Sequence, residues 1–228
     1  MKTHFKFRTL KPLSILASVS LLLTICLAAC NKNNDTNQVG ATAYVMAVNS
    51  AQTSAPQDFY VDNAKLNASA VAYTQNTDYV STGSGTHNAQ FRTAGTATVN
   101  SSFGVTFAPS SYNTIFLADD NSATVTQDDR TAPQSGKARV RFINLSSALS
   151  SNVDFGLAAG AKIVSGLAYK AASTYYEVDA ASSFSLYAAG STTVALSIPT
   201  TIQAGHIYTI YTSGSTTATI TYHIVAQN

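Results

Sequence analysis

The chain has 228 residues, with 13 Lys and Arg against 11 Asp and Glu and a formal charge of +2. Four of the basic residues (Lys2, Lys6, Arg8, Lys11) precede residue 12 and no acid precedes Asp35, so the rest of the chain is weakly acidic. This excludes an electrostatic case for nucleic acid, and two cysteines at positions 26 and 30 give the body of the chain no disulfide.

In chain order, the first element is a basic start followed by an uncharged apolar stretch from Leu13 to Leu27. A short apolar core behind a basic start is the secretory pattern. It ends in Leu27-Ala28-Ala29-Cys30, which resembles the lipobox of lipoprotein signal peptides. The resemblance implies that residues 1–29 are removed and that the Cys30 thiol takes a diacylglyceryl group. With a further acyl chain on the new amino group, each buried methylene contributing about 0.8 kcal/mol, Cys30 becomes a firm membrane anchor. An uncleaved membrane helix is the alternative reading. Residues 30–41, largely polar and turn-forming, read as a flexible tether. Outer membrane is the expected destination, with the periplasmic or surface side left open.

The remainder is rich in Ser, Thr, Ala, Val, Asn and Tyr, with no Trp and few charges. Strand formers dominate over helix-surface residues, and the chain repeats itself. Val45-Met-Ala-Val-Asn49 is followed by Asp58-Phe59, Ala72-Tyr73 and Tyr79. Val140-Arg-Phe-Ile-Asn144 is followed by Asp154-Phe155, Ala168-Tyr169 and Tyr175. The offset is 95 at Asn49/Asn144 and 96 at the later pairs. The predicted organisation is therefore a β-domain over 42–126, a linker over 127–137 whose charges, proline and glycine interrupt the apolar pattern, and a second β-domain over 138–228.

Within the second half, apolar and polar residues alternate at Val140–Asn144, Val153–Leu157, Phe184–Tyr187, Val194–Ile198 and Ala218–Val225, while Ile207–Tyr211 is more continuously apolar. Period-two runs about ten residues apart predict an all-β fold, two tandem antiparallel β-sandwiches of the Ig-like kind, with a small barrel as alternative. The runs VRFINLS, NVDF, Leu167-Ala168-Tyr169, Ser173-Thr174-Tyr175 and Ala204-Gly205-His206-Ile207-Tyr208-Thr209 resemble the bacterial domain-of-unknown-function family numbered 4397. The resemblance covers roughly 138–214 and, more weakly, 42–120, where Ala47 replaces the aromatic found at Phe142 and Ser110–Thr114 replaces the Ala-Gly-His run. It implies a β-sandwich module and no catalytic residues.

Residue patterns that carry chemistry are few. His87, His206 and His223 are too dispersed for a local metal pair and read as surface or edge residues. No serine lies in a Gly-x-Ser-x-Gly elbow, Gly83-Ser84-Gly85 reads as a turn, and no phosphate-binding glycine loop occurs. Asp119-Asp120-Asn121 and Asp128-Asp129 are the acidic clusters. The first is a calcium candidate weighed against a solvated turn. The recurring Asp58 and Asp154 read as turn-holding acids, and the Asn-x-Ser triplets at Asn67, Asn100 and Asn144 as chance. Twelve tyrosines offer flat faces with polar tips, useful for glycans or proteins if exposed. The expectation is a protein without cofactor or metal, not an enzyme, attached to the membrane through Cys30. It would act as an interaction module for an envelope protein partner or as an accessory subunit, with glycan capture as the alternative.

Overall fold

The computed structural model describes Lys2, His4 and residues 41–149, 151–158 and 160–227. Cys30, the apolar segment before it and most of the tether lie outside the described residues. Regular structure among the described residues is all β, as the alternation predicts.

Each half places four strands in each of two sheets. In the first half, β1 (Thr42–Asn49), β4 (Val80–Gly83), β7 (Tyr112–Leu117) and β8 (Ala123–Asp128) form an inner sheet in the order β4-β1-β7-β8. β2 (Gln57–Val61), β3 (Ala64–Lys65), β5 (Gly85–Thr93) and β6 (Val99–Phe107) form an outer sheet in the order β3-β2-β5-β6. The second half repeats this with β9 (Lys137–Asn144), β12 (Tyr176–Asp179), β15 (Ile207–Ser213) and β16 (Thr221–Ala226) in the inner sheet, ordered β12-β9-β15-β16. Its outer sheet contains β10 (Val153–Leu157), β11 (Lys162–Leu167), β13 (Phe184–Ala188) and β14 (Val194–Ile198), ordered β11-β10-β13-β14.

The sandwich expectation holds, with one correction. Pairing is not wholly antiparallel, because β1 runs parallel to β7 and β9 parallel to β15. Parallel neighbours need a long crossover. The chain supplies it by visiting the outer sheet between them, and the short turns that signal antiparallel hairpins carry no trace of such a pair. The connection between halves is also shorter than the linker read from composition: Gln127 and Asp128 belong to β8 and Lys137 to β9.

The repeat extends to backbone detail. Thr74 and Lys170 have φ of 72° and 63°, and Ser110 and Gly205 have 60° and 83°. These matching left-handed positions are uncommon for residues with a side chain. The cores compensate in volume. Val140, Phe142, Phe155 and Phe184 fill the second sandwich, with Phe142 stacked on Phe155 at 4.5 Å. In the first sandwich Ala47 stands in place of Phe142. Phe91 stands where the second half has Leu186, and it packs against Phe59 at 5.0 Å. A large residue lost from one sheet is regained on the facing one, as close packing requires.

The two inner sheets also pack on each other. Met46, Val48 and Phe116 meet Ile143, Leu145, Tyr211 and Val225 in a third apolar core. The order of layers is thus outer, inner, inner, outer, and residues 40–228 form one compact unit. Polar side chains at one end of this seam are closed by a hydrogen-bond network. The Arg141 guanidinium pairs with Asp128, both side chains being nearly inaccessible to water. Arg141 also donates to Thr209 Oγ1 and to the Gln127 carbonyl, each at 3.0 Å. The Asp128 carboxylate accepts the hydroxyls of Tyr79 at 2.7 Å and Thr114 at 2.6 Å. Gln227, which occupies the place of Asp128 in the second half, accepts from Tyr175 at 2.7 Å and Thr209 at 2.8 Å, and donates to Thr114 at 3.2 Å.

Removing one partner of a buried, hydrogen-bonded ion pair costs about 3–5 kcal/mol because the other charge stays buried. Arg141→Met, which copies Met46 of the first half, is expected to lower the stability read from urea unfolding by about that amount. Adding Asp128→Asn to the same chain is expected to recover most of the loss. An Arg141→Met protein as stable as the parent would show that the ion pair does not hold the seam.

Candidate functional site

The residues that recur between the halves are used in construction. Asn49 donates through Nδ2 to the Val71 carbonyl at 3.1 Å, and Ala51 N–H donates to its Oδ1. Asn144 does the same with Leu167 and Ser146. Asp58 accepts the Gly95 N–H at 3.1 Å and pairs with Lys65, while Asp154 accepts the Gly190 N–H at 3.0 Å and pairs with Lys162. Burial alone would raise both carboxyl pKa values, but the lysine and backbone N–H hydrogen bonds outweigh it and hold them below the ordinary range. The turn-holding reading of these acids is the one the geometry supports. The three Asn-x-Ser asparagines are engaged likewise: Asn67 binds Asp58 and the Ser69 carbonyl, Asn100 binds Gln57 and Thr93, and Asn144 is fully buried.

The acidic cluster at the β7–β8 turn serves the seam. Asp119 accepts N–H groups from Gln52 and Gly214, one from each half, and Asp120 pairs with Lys170 at 2.6 Å. Donors, not open oxygens, face these carboxylates, and among the described residues no group of three acids or histidines gathers as a metal site.

The histidines do not converge. His87 pairs with Asp62 and stacks near Phe107. His206 sits in the turn before β15, its ring 6.1 Å from Tyr208. His223 departs from the surface expectation. The polar side of its alternating strand faces the seam rather than solvent, and Nε2 lies 2.9 Å from the Tyr73 hydroxyl and 3.2 Å from Ser213 Oγ. This Ser–His contact is walled in, with Ser213 fully buried.

Three of the four repeated tyrosines are bonded in the same region. Tyr73 reaches across to Ser213 of the other half, while Tyr79 donates to Asp128 and Tyr175 to Gln227 within their own halves, with Arg141 over the Tyr175 ring at 4.9 Å. Burial, with Asp128 nearby, pushes the Tyr79 phenol well above its ordinary pKa, and burial raises Tyr175 to about 12. Both therefore remain proton donors. Tyr169 is half-buried, its hydroxyl without a hydrogen-bond partner among the described residues, and Lys170 lies 4.9 Å from its ring centre. Tyr176, Tyr208 and Tyr222 pack against the second core, Tyr187 is buried, and Tyr211 belongs to the seam.

Tyr60 lies under the Arg92 guanidinium at 4.1 Å on the outer sheet, and a further cluster carries no signal in the sequence. Tyr44 and Tyr112 are direct neighbours on the parallel strands β1 and β7, and their rings stack at 4.5 Å. Tyr79 meets Tyr112 edge-on at 5.0 Å, and the Arg130 guanidinium lies 4.5 Å from the Tyr112 ring centre. With Asn76 and Asp78 they wall an open depression of about 400 Å³. A second, larger hollow of about 620 Å³ lies under residues 66–80 and shares Asn76 and Asp78 with the first. The second half has no counterpart, since Arg139 and Ile207 stand where Tyr44 and Tyr112 stand. Pairing across a parallel ladder brings residues 44 and 112 together, and no local pattern signals that.

The seam predicts a pH dependence. Burial lowers the His223 pKa below its ordinary 6.5. The groups facing it are the Tyr73 and Ser213 hydroxyls and the Tyr211 ring, none of them a counter-charge. The unfolded chain then takes up a proton before the folded one, so stability is full above 6.5 and is lost as pH falls through the lowered folded value. Urea midpoints measured between about pH 7.5 and about pH 5 should fall more steeply for the parent than for His223→Gln. Parallel profiles would exclude His223 as the titrating group.

Among curated proteins, none matches the chain. Residues 43–155 match the model of the family described as Domain of unknown function (DUF4397), a stretch that covers the first sandwich and runs on into β10. The detected match therefore falls mainly on the half whose residue pattern resembles that family more weakly, and this stretch of the chain is similar to DUF4397.

Proposed function

We propose that this protein is a lipid-anchored, non-catalytic interaction module of the bacterial cell envelope, built from two copies of one family domain. Cys30 would carry the lipid at the outer membrane, and residues 31–41 would tether the paired sandwiches. The lipobox-like Leu27-Ala28-Ala29-Cys30 and the polar stretch after it support the anchoring. The shared strand order and the matched left-handed positions support a second copy.

The observation that carries the binding role is the tyrosine-walled depression. The recurring Asn, Asp and most of the recurring Tyr residues are engaged in turns and the seam. The buried Ser213–His223 contact offers no open nucleophile, whereas the depression is open and within the size range of ligand pockets. A protein partner or an accessory role in an envelope assembly is the first reading. Glycan capture is the second, favoured by the aromatic walls.

The anchoring is tested in cells. Cys30→Ser is expected to shift the protein from the membrane to the soluble fraction or to leave an unprocessed precursor, and the parent's N-terminal peptide should show acylated Cys30 by mass spectrometry. A parent chain that keeps residues 1–29, or a Cys30→Ser protein processed and membrane-bound as before, would overturn it.

A further inference from the structure

Charge is scarce in this protein and nearly all of it is matched. Of the ten acids and eight bases between residues 41 and 227, all but two have a polar partner among the described residues. Lys65, Lys137, Arg139, Arg141, Lys162 and Lys170 are ion-paired. Arg92 donates to Asn63 and Gln90, Glu177 accepts the Gln134 N–H, and Asp119 accepts two backbone N–H groups. The exceptions are Asp78 and Arg130. Among the described residues neither charged group makes a hydrogen bond or an ion pair, both residues are exposed, and both wall the same depression. The Arg130 guanidinium lies over the aromatic faces of Tyr112 and Tyr79, at 4.5 and 5.2 Å. The rings restrain the guanidinium while leaving its N–H donors unspent.

We propose that this depression is a binding site for a neutral saccharide, one ring lying beside the Tyr44–Tyr112 stack with its hydroxyls bridging Arg130 and Asp78. The proposal rests on the second, glycan-capturing form of the binding-module reading and narrows its ligand class. A pyranose has an apolar C–H face suited to an aromatic wall and hydroxyls that both donate and accept. A guanidinium that only donates and a carboxylate that only accepts complement such a hydroxyl array. Charge-assisted hydrogen bonds of this kind are about twice as strong as neutral ones, and a neutral ligand brings no charge to desolvate. An acidic ligand would gain Arg130 but be repelled by Asp78. The adjoining hollow at Asn76 and Asp78 gives room for further units of a chain, which suits an oligosaccharide better than a single small molecule.

The test uses the full mature chain, purified from membranes in detergent. It is titrated calorimetrically with neutral oligosaccharides of glucose, galactose, mannose and xylose, and with an oligogalacturonate and a tyrosine-containing peptide. At least one neutral oligosaccharide is expected to bind with a Kd between roughly micromolar and millimolar. Asp78→Asn and Arg130→Gln, both exposed and without structural bonds, should each weaken it about tenfold or more. Tyr112→Ala should weaken it similarly. Thr86→Ala, on the outer sheet, should leave it unchanged. Binding of only the oligogalacturonate or the peptide, binding indifferent to Asp78 and Arg130, or no binding of any neutral oligosaccharide would each overturn the site. All three leave the lipid anchoring untouched, and loss of Cys30 acylation would leave the site untouched.

Discussion

The guanidinium of Arg141 lies between two sheets where water does not reach, and its Nε and both terminal nitrogens meet acceptors there. A charge in such a place is tolerated only when paired and hydrogen-bonded. Asp128 supplies the counter-charge, the Tyr79 and Thr114 hydroxyls complete it, and Gln227 closes the other side. Each inner sheet therefore has two buried faces, one toward its own sandwich and one toward its neighbour. That constraint explains why β7 and β15 are so heavily buried, and why small polar residues such as Thr114, Thr209 and Thr212 sit inside them.

The two halves meet as near-equivalents rather than as identical copies. Arg141 stands opposite in the repeat to Met46, and Asp128 to Gln227, so one ion pair forms where strict symmetry would give two or none. With a symmetric pair of Met and Gln, the seam would lose its charge. With a symmetric pair of Arg and Asp, it would bury four charges at much greater desolvation cost. The halves differ in open surface as well. Tyr44 and Tyr112 wall a depression in the first half, and Arg139 in the second is instead bound to Asp129 of the connecting segment.

Much of this was legible in the residues. The period-two runs mark β10, β13 and β14 closely, and the offset of 95 to 96 relates positions that share their hydrogen-bond roles, from Asn49 and Asn144 to Asp58 and Asp154. The same recurrence misdirects when read as surface. Tyr73, Tyr79 and Tyr175 repeat because they reach the seam. His223 and Arg141 lie on the polar side of their strands, which sequence alternation equates with solvent. A polar face is equally what a sheet needs when it buries a satisfied network against another sheet, and alternation is blind to that difference.

By itself the sequence determined the all-β class, because that follows from local periodicity, and it showed the recurrence of Asp58 at Asp154, although the turns these acids hold, at Gly95 and Gly190, lie far along the chain. It also carries Leu27-Ala28-Ala29-Cys30, whose resemblance to a lipobox is read from four adjacent residues. Only the tertiary structure decided that the two sandwiches share a buried seam, that β1 lies parallel to β7, and that Asp78 and Arg130 are left unpaired beside stacked tyrosines. Those facts depend on which distant strands become neighbours, and residues far apart in the chain acquire a common environment only when the sheets close.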